Sequence, residues 1–288
     1  MKIISCLILY GLIAAQCLGQ TDSATKNANA DSTEAKSTLT AGITACNNAD
    51  YYGLRAAENL PYVATAATYR FGFGLYFTGM AYRLLHDSTH AISAENVGGG
   101  YLLKLSKKLS ADLSFSHTFY PNFSPFLQAA SPDNATLALT CENWLTSTIN
   151  GDYAFGKSND FFLTAGTAKT ITLGSIGKKD VITLTPAVNV VGGTQHFYQT
   201  YITEKRLQDS LLGILLPPLP GDQLGSISFT KTITQFNILS YNLKLPLAYN
   251  RASYLLEIQY QLSVLSNKAE TGAGKINSFV SASFYYQF

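Results

Sequence analysis

Charge is what this sequence has least of. Asp, Glu, Lys and Arg make up 13% of its 288 residues, where a soluble domain carries roughly 25%. A surface that poor in charge does not suit an ordinary enzyme surrounded by water. A basic excess is missing too: 20 Lys and Arg against 18 Asp and Glu leave a net charge of +2. That excludes the phosphate-neutralising face a nucleic-acid binder needs. After the first twenty residues no apolar run approaches the ~18 residues that cross a bilayer as a helix. Four Cys and four His, nowhere clustered, offer no zinc set. Gly98–Gly99–Gly100 is not followed by Lys-Ser or Lys-Thr at phosphate-loop spacing. Nothing in the chain calls for a cofactor.

What is present is apolar and aromatic: 47% hydrophobic residues, with 18 Tyr and 16 Phe. That is enough buried surface to exclude disorder for most of the chain. Met1 to Gly19 reads as a signal peptide, with Lys2 at its positive end, an apolar Ile3–Ala15 and a cut expected after Gly19. Residues 20–36 are polar and lack aromatic or branched aliphatic side chains, which predicts a flexible periplasmic tail. Residues 37–288 form the third unit.

Within it, apolar residues fall on alternate positions, as a half-buried strand requires. Tyr254, Leu256, Ile258, Tyr260, Leu262 and Val264 face one way, and Glu257, Gln259, Gln261 and Ser263 the other. Leu109–Tyr120, Asp180–Val190 and Leu239–Tyr249 repeat the pattern. About twelve such segments follow one another: 37–46, 60–70, 73–84, 92–104, 109–120, 135–143, 145–156, 159–171, 180–192, 235–247, 252–264 and 276–288. Short connections alternate with long ones (47–59, 85–91, 121–134, 193–234 and 265–275), except at 156–159. Tight turns at one end and long loops at the other predict an all-β, antiparallel transmembrane barrel of about twelve strands, turns facing the periplasm.

Alternation alone fits a soluble barrel with the faces exchanged. The scarcity of charge decides for the membrane, as does where the charge lies. Lys104, Asp112, Glu142, Asp152, Lys244 and Glu257 all share the polar face, which makes them the candidate lumen-lining residues. Tyr69, Tyr82, Tyr101, Tyr120, Tyr153, Tyr249 and Tyr286 are expected in the two interfacial girdles. The closing stretch SFVSASFYYQF puts Val280, Ala282, Phe284, Tyr286 and Phe288 on one face. It resembles the last-strand signal read by the barrel assembly machinery, with Phe284, Tyr286 and Phe288 as its aromatic residues.

The runs Ile92–Pro125 and Gly192–Tyr201 (GGTQHFYQTY) carry a further resemblance. The chain resembles uncharacterised outer-membrane β-barrel proteins of Bacteroidota-type Gram-negative bacteria over most of residues 37–288. This implies location and fold, and brings no catalytic residues.

Chemistry is sparse. His86 and His90, with Asp87 between them, read as a solvated loop pair, and His196 as interfacial. His117 has the parity of the lipid face, where outer-membrane phospholipases keep a Ser–His pair, but Thr118 and Phe119 follow it in place of that motif. No nucleophile or oxyanion donor is marked beside it. The apolar run Leu211–Pro220 (LLGILLPPLP) suits a constriction in the lumen, a cover over the barrel mouth or a partner contact. The functional expectation is a porin-like narrow channel or transporter for small solutes, with no catalysis. A closed barrel acting through its extracellular loops, and a lipid-active enzyme, stay open beside it. Expected partners are outer-membrane lipids, the assembly machinery and a small solute.

Overall fold

The computed structural model describes residues 36–87, 90–122, 124–211, 235–270 and 274–288. The expected signal peptide, nearly all of the expected tail and the Leu212–Pro220 part of the apolar run lie outside the described residues. Strands run in chain order: β1 (Thr38–Cys46), β2 (Tyr62–Arg70), β3 (Leu75–Leu84), β4 (Ala94–Lys104), β5 (Leu109–Phe119), β6 (Asp133–Glu142), β7 (Thr146–Phe155), β8 (Asp160–Ala168), β9 (Ile171–Gly174), β10 (Asp180–Leu184), β11 (Ala187–Gly193), β12 (Asn237–Arg251), β13 (Tyr254–Leu265) and β14 (Ile276–Gln287). One helix, α1 (His196–Leu211), leads out of β11.

Every pairing is antiparallel and almost all join neighbours in sequence. β11 pairs with both β8 and β12, and β1 pairs with β14 from Thr40↔Gln287 to Cys46↔Ser281, so the sheet closes on itself. β8 with β9, and β10 with β11, are each one strand interrupted. The interruption sits at Pro186, which has no N–H to give the ladder; its carbonyl accepts Lys169 N–H instead, while Thr185 N–H goes to the carbonyl of Pro246. Counted through these breaks, the barrel has twelve strands. β12 runs past Pro246 to Arg251, further than the alternation suggested, and the following turn shrinks to Ala252–Ser253.

The outer wall is apolar. Leu113, Phe115, Leu137, Ile149, Val188, Leu256, Ile258 and Val264 all point outward and are exposed, Ile258 at 61%. Such a continuous belt is incompatible with water, and closure leaves no unpaired strand edge for lipid to desolvate. The chain is therefore a transmembrane β-barrel of the outer-membrane type. No described helix is long and apolar enough to cross a membrane. Exposed aromatics gather toward the two ends: Phe119, Tyr153, Phe161 and Phe236 by the loops, and Tyr69, Phe73, Phe77, Tyr101, Trp144, Tyr286 and Phe288 by the turns.

Three expected orientations change. Tyr82 is buried in the barrel, because β3 turns Tyr76, Met80, Tyr82 and Leu84 inward. Tyr120 follows β5 and stands 5.9 Å from Phe126 in the loop packing instead of in a girdle. Leu239 is fully buried although Leu243 and Leu247 face out. Here the register slips, Val191 opposing Ser240 while Gly192 opposes Ile238. The extra residue is a bulge, and it swings Leu239 inside.

Candidate functional site: the barrel interior

The segment 47–61, which joins β1 to β2, folds down into the barrel. Asp50 accepts from the Gly53 N–H (2.8 Å), and Tyr51 and Leu54 exchange backbone bonds of 2.9 Å, making a compact turn. This turn is fastened to the opposite wall. Ser240 Oγ donates to the Tyr52 carbonyl (2.7 Å), Asn277 Nδ2 to the Gly53 carbonyl (2.9 Å) and Gln261 Nε2 to Asp50 Oδ2 (3.0 Å). Gly53 has φ +87°, and a Cβ there would stand 2.6 Å from Ser240 Oγ, so only glycine permits this approach.

Aromatic packing holds the other side of the turn. Tyr52 stacks on Phe162 with centroids 3.8 Å apart, and Tyr51 meets Phe197 edge-on at 4.8 Å. Leu54, Phe162 and Phe197 are completely buried. A second long loop adds Phe126 and a 3-10 turn, Leu127–Ala130. The loop-end interior is thus a hydrophobic core.

Helix α1 starts over this core through one side chain, Asp160. Its carboxylate accepts from Thr194 Oγ1 (2.8 Å), His196 N–H (2.7 Å) and Phe197 N–H (2.7 Å), satisfying donors that the first turn leaves free. His196, expected at an interface, also lies 3.0 Å from Asp160 through Nδ1. Fully buried Gln195 ties the helix to the segment 266–270, donating to the Lys268 carbonyl (2.8 Å) and accepting Glu270 N–H (2.6 Å). Burial, then the nearby Glu270 charge, pushes the Tyr198 phenol up to about 12. Burial raises the Glu270 carboxyl as well. Glu204, Lys205 and Arg206 lie within α1.

Below the core the wall becomes polar. Asp112, buried in β5, accepts the Tyr76 hydroxyl at 2.8 Å, and the Arg70 guanidinium stands 5.5 Å from the centre of the Tyr76 ring. Gly100 makes room for this, since a Cβ there would come within 2.5 Å of the Tyr76 oxygen. Asp152, 1% exposed, stands higher, level with the core and paired across the strands with Phe162, and accepts Thr136 Oγ1 at 2.6 Å through one carboxylate oxygen. Lys244 is buried and feels the charge of Asp50. Glu257 is partly buried on the same inner face, paired across the strands with Ala248 and Ser283. Thr140, Asn150, Thr183, Asn189, Asn242 and Asn250 complete a lining of buried polar residues. Several oxygens in this wall have no partner: Asp152 Oδ2 and the side-chain carbonyls of Asn134, Asn242, Asn250 and Asn277.

Of the six lumen candidates, four thus lie within the barrel: Asp112, Asp152, Lys244 and Glu257. Lys104 and Glu142 have the same parity but end their strands. Lys104 is exposed, and Glu142 borders an open groove of about 490 Å³ with Lys108, Asn143, Trp144, Leu145 and Ser147. Alternation gives the face a residue takes and not its depth, so these two fall at the rim. Asp50, Arg70 and Asp160 are the charged residues that sequence reasoning missed. Arg70 shares the parity of Thr68 and was open to detection; Asp50 and Asp160 owe their positions to loop packing.

Phe284, Tyr286 and Phe288 are exposed on the outer face of β14 along the closing seam, where the Phe288 N–H donates to the Leu39 carbonyl at 2.8 Å. His117 also faces out, its Nδ1 2.7 Å from Asp133 Oδ1, between Phe115 and Phe119 and opposite Val97. Among the described residues its cross-strand neighbours include no hydroxyl nucleophile. His90 lies 3.0 Å from Asp87 through Nδ1 in the loop after β3. Cys46 ends β1 at the loop end and Cys141 lies at the turn end of β6; both are free thiols.

No protein-family model matches the chain, and no curated protein matches it. Solved structures do. The KdgM porin aligns over 87% of this chain and 99% of its own, at 9% identity and a TM-score of 0.47. The COG4313 outer membrane channel from Pseudomonas putida F1 aligns over 92% and 100%, at 9% identity and 0.43. LpxR from Salmonella typhimurium aligns over 86% and 99%, at 8% identity and 0.44.

Proposed function

We propose that this barrel is a narrow channel or transporter for small polar solutes, held shut at its loop end by the inward turn of segment 47–61. The observation that carries this reading is the polar wall around and beneath the plug. An interior built only for stability gains from apolar filling, because buried charges cost more in desolvation than they return unless well paired. Here Asp112 and Glu257 line the inside toward the turns, Asp152 and Lys244 line it against the plug, and Asp152, Asn242 and Asn277 each keep an unpartnered oxygen. Such acceptors suit a lumen that fills with water or solute when the plug shifts.

A second reading, a closed barrel acting through its loops, draws on the aromatic plug itself. The two part in planar bilayers. The refolded protein, or a Phe162→Ala variant with a loosened plug, should give discrete conductance steps if it is a channel. Silence from both, in preparations that keep heat-modifiable gel migration, favours the closed barrel.

The candidate rim residues Lys104 and Glu142 would then flank the periplasmic mouth. Phe284, Tyr286 and Phe288 would serve as the signal for the assembly machinery, with outer-membrane lipids around the belt. The affinity with Bacteroidota-type barrels rests on the runs 92–125 and 192–201. The His117–Asp133 pair belongs in this reading to the interfacial girdle, and the protein has no catalytic role.

A further inference from the structure

We infer that the pathway favours cations over anions, an inference that rests on the channel reading above. It comes from asking which interior charges are compensated. Asp50, in the plug turn, bonds Gln261, the cross-strand neighbour of Lys244, and feels the Lys244 charge. Asp112 is answered by Arg70 across the Tyr76 ring, through a 2.8 Å bond and a 5.5 Å cation–ring contact. Asp160 is consumed by capping α1. Two acids remain. Among the described residues, no Lys, Arg or His stands within ion-pair distance of Asp152 or Glu257. Among the described strand residues, the bases that point into the barrel, Arg70 and Lys244, each lie near an acid.

A second and independent observation has the same sign. In the strand wall, among the described residues, unpartnered buried atoms include Asp152 Oδ2 and the carbonyl oxygens of Asn242, Asn250 and Asn277, all in side chains at least nine-tenths buried, while the buried hydroxyls of Tyr51 and Tyr52 belong to the plug. Their orientation is fixed by what the other end of each amide does. Asn277 must turn its nitrogen to the Gly53 carbonyl, which can only accept, so its own oxygen is left facing inward. Asn242 likewise spends its nitrogen on Ser240 Oγ, whose own proton goes to the Tyr52 carbonyl. A wall of free oxygens with two uncompensated carboxylates attracts metal cations and ammonium-bearing solutes. It repels carboxylates and phosphates, because a charge in a narrow, low-dielectric bore focuses its field on whatever passes.

Reversal potentials in a KCl gradient across planar bilayers test this, at mildly alkaline pH so that carboxylates are ionised. Wild-type protein should pass potassium in preference to chloride. In a solvated bore one contact charge changes the local ion concentration about fivefold. Glu257→Gln, at a side chain that makes no ion pair, should lower the cation preference by a factor of that order, and Asp152→Asn should add to the loss. Glu257→Lys should carry the preference toward chloride. A wild-type channel that prefers chloride, or one whose selectivity ignores all three substitutions, overturns this inference and leaves the channel reading standing. No conductance in either the wild type or Phe162→Ala overturns the channel reading, and the selectivity with it.

Discussion

Tyr52 and Asp112 sit inside the same barrel, and their surroundings differ as much as a protein core differs from a solvated cleft. Around Tyr52 the interior is aromatic: Tyr51, Phe162 and Phe197 pack edge-on and face-on, and Leu54 has no exposed surface. Around Asp112 it is hydrogen-bonded and charged. The strands are the same in both halves, so the difference is made by what enters from the loops. At the loop end two long connections and α1 bring apolar side chains that need covering, and the barrel covers them. At the turn end the connections are too short to reach inside, and the wall's own polar face is left to itself. One barrel therefore contains a soluble-type core set above a polar chamber.

The sharpest break of this contrast is Phe162→Ala. Removing a fully buried ring from the plug should cost about 3–5 kcal/mol of stability. It should also raise the frequency of open events in bilayers. A variant that loses stability without any change in conductance would mean that the aromatic half is not what shuts the barrel. Next comes the inside–outside assignment that both halves share. Ile258→Arg puts a charge into the lipid belt at a cost of about 2–4 kcal/mol near the midplane, and should impair insertion into liposomes. Its neighbour Glu257→Gln should insert normally. The reverse outcome would shift the strand register by one residue and exchange every face.

Smaller effects sharpen the upper half. Asp160→Ala removes the acceptor for two N–H groups at the start of α1 and should cost about 1–2 kcal/mol, in the range for a lost helix cap. Hydrogen exchange should then rise in residues 195–203 while β8 stays protected. The smallest effect is a pH dependence at the same place. Burial raises the Glu270 carboxyl, so the folded state holds its proton more tightly than the unfolded chain does. Docking of the segment 266–270 on the start of α1, where Glu270 lies near Tyr198, should weaken as pH rises from the ordinary carboxylate range through the raised value. Glu270→Gln should flatten that dependence in hydrogen exchange, and a slope that persists would point to another group.

The polar lining was readable from the sequence because its residues belong to regular strands. Asp112, Asp152, Lys244 and Glu257 follow the parity of their neighbours, and parity is a local property of extended backbone. Where the ladder is irregular, that reading fails. Leu239 is itself the extra residue of a bulge, and the alternation through Leu247 gave no sign of it. Tyr82 misled for another reason: an aromatic near a strand end suits an interfacial girdle, but it suits a loop-packed interior equally, and only the loops decide which is present.

The amino-acid sequence by itself determined the wall: twelve extended segments, their hydrogen-bonded order, the lipid-facing side of most of them and the end from which long loops emerge. All of these follow from a period of two and from connection length. The tertiary structure decided what fills the wall. Asp50 reaches Gln261, and Tyr52 reaches Phe162, across more than a hundred residues of chain and a closed ring of strands. No periodicity records such a contact, because loop residues obey none. Their places are set by the cavity that the barrel leaves open and by the apolar surface they must hide within it.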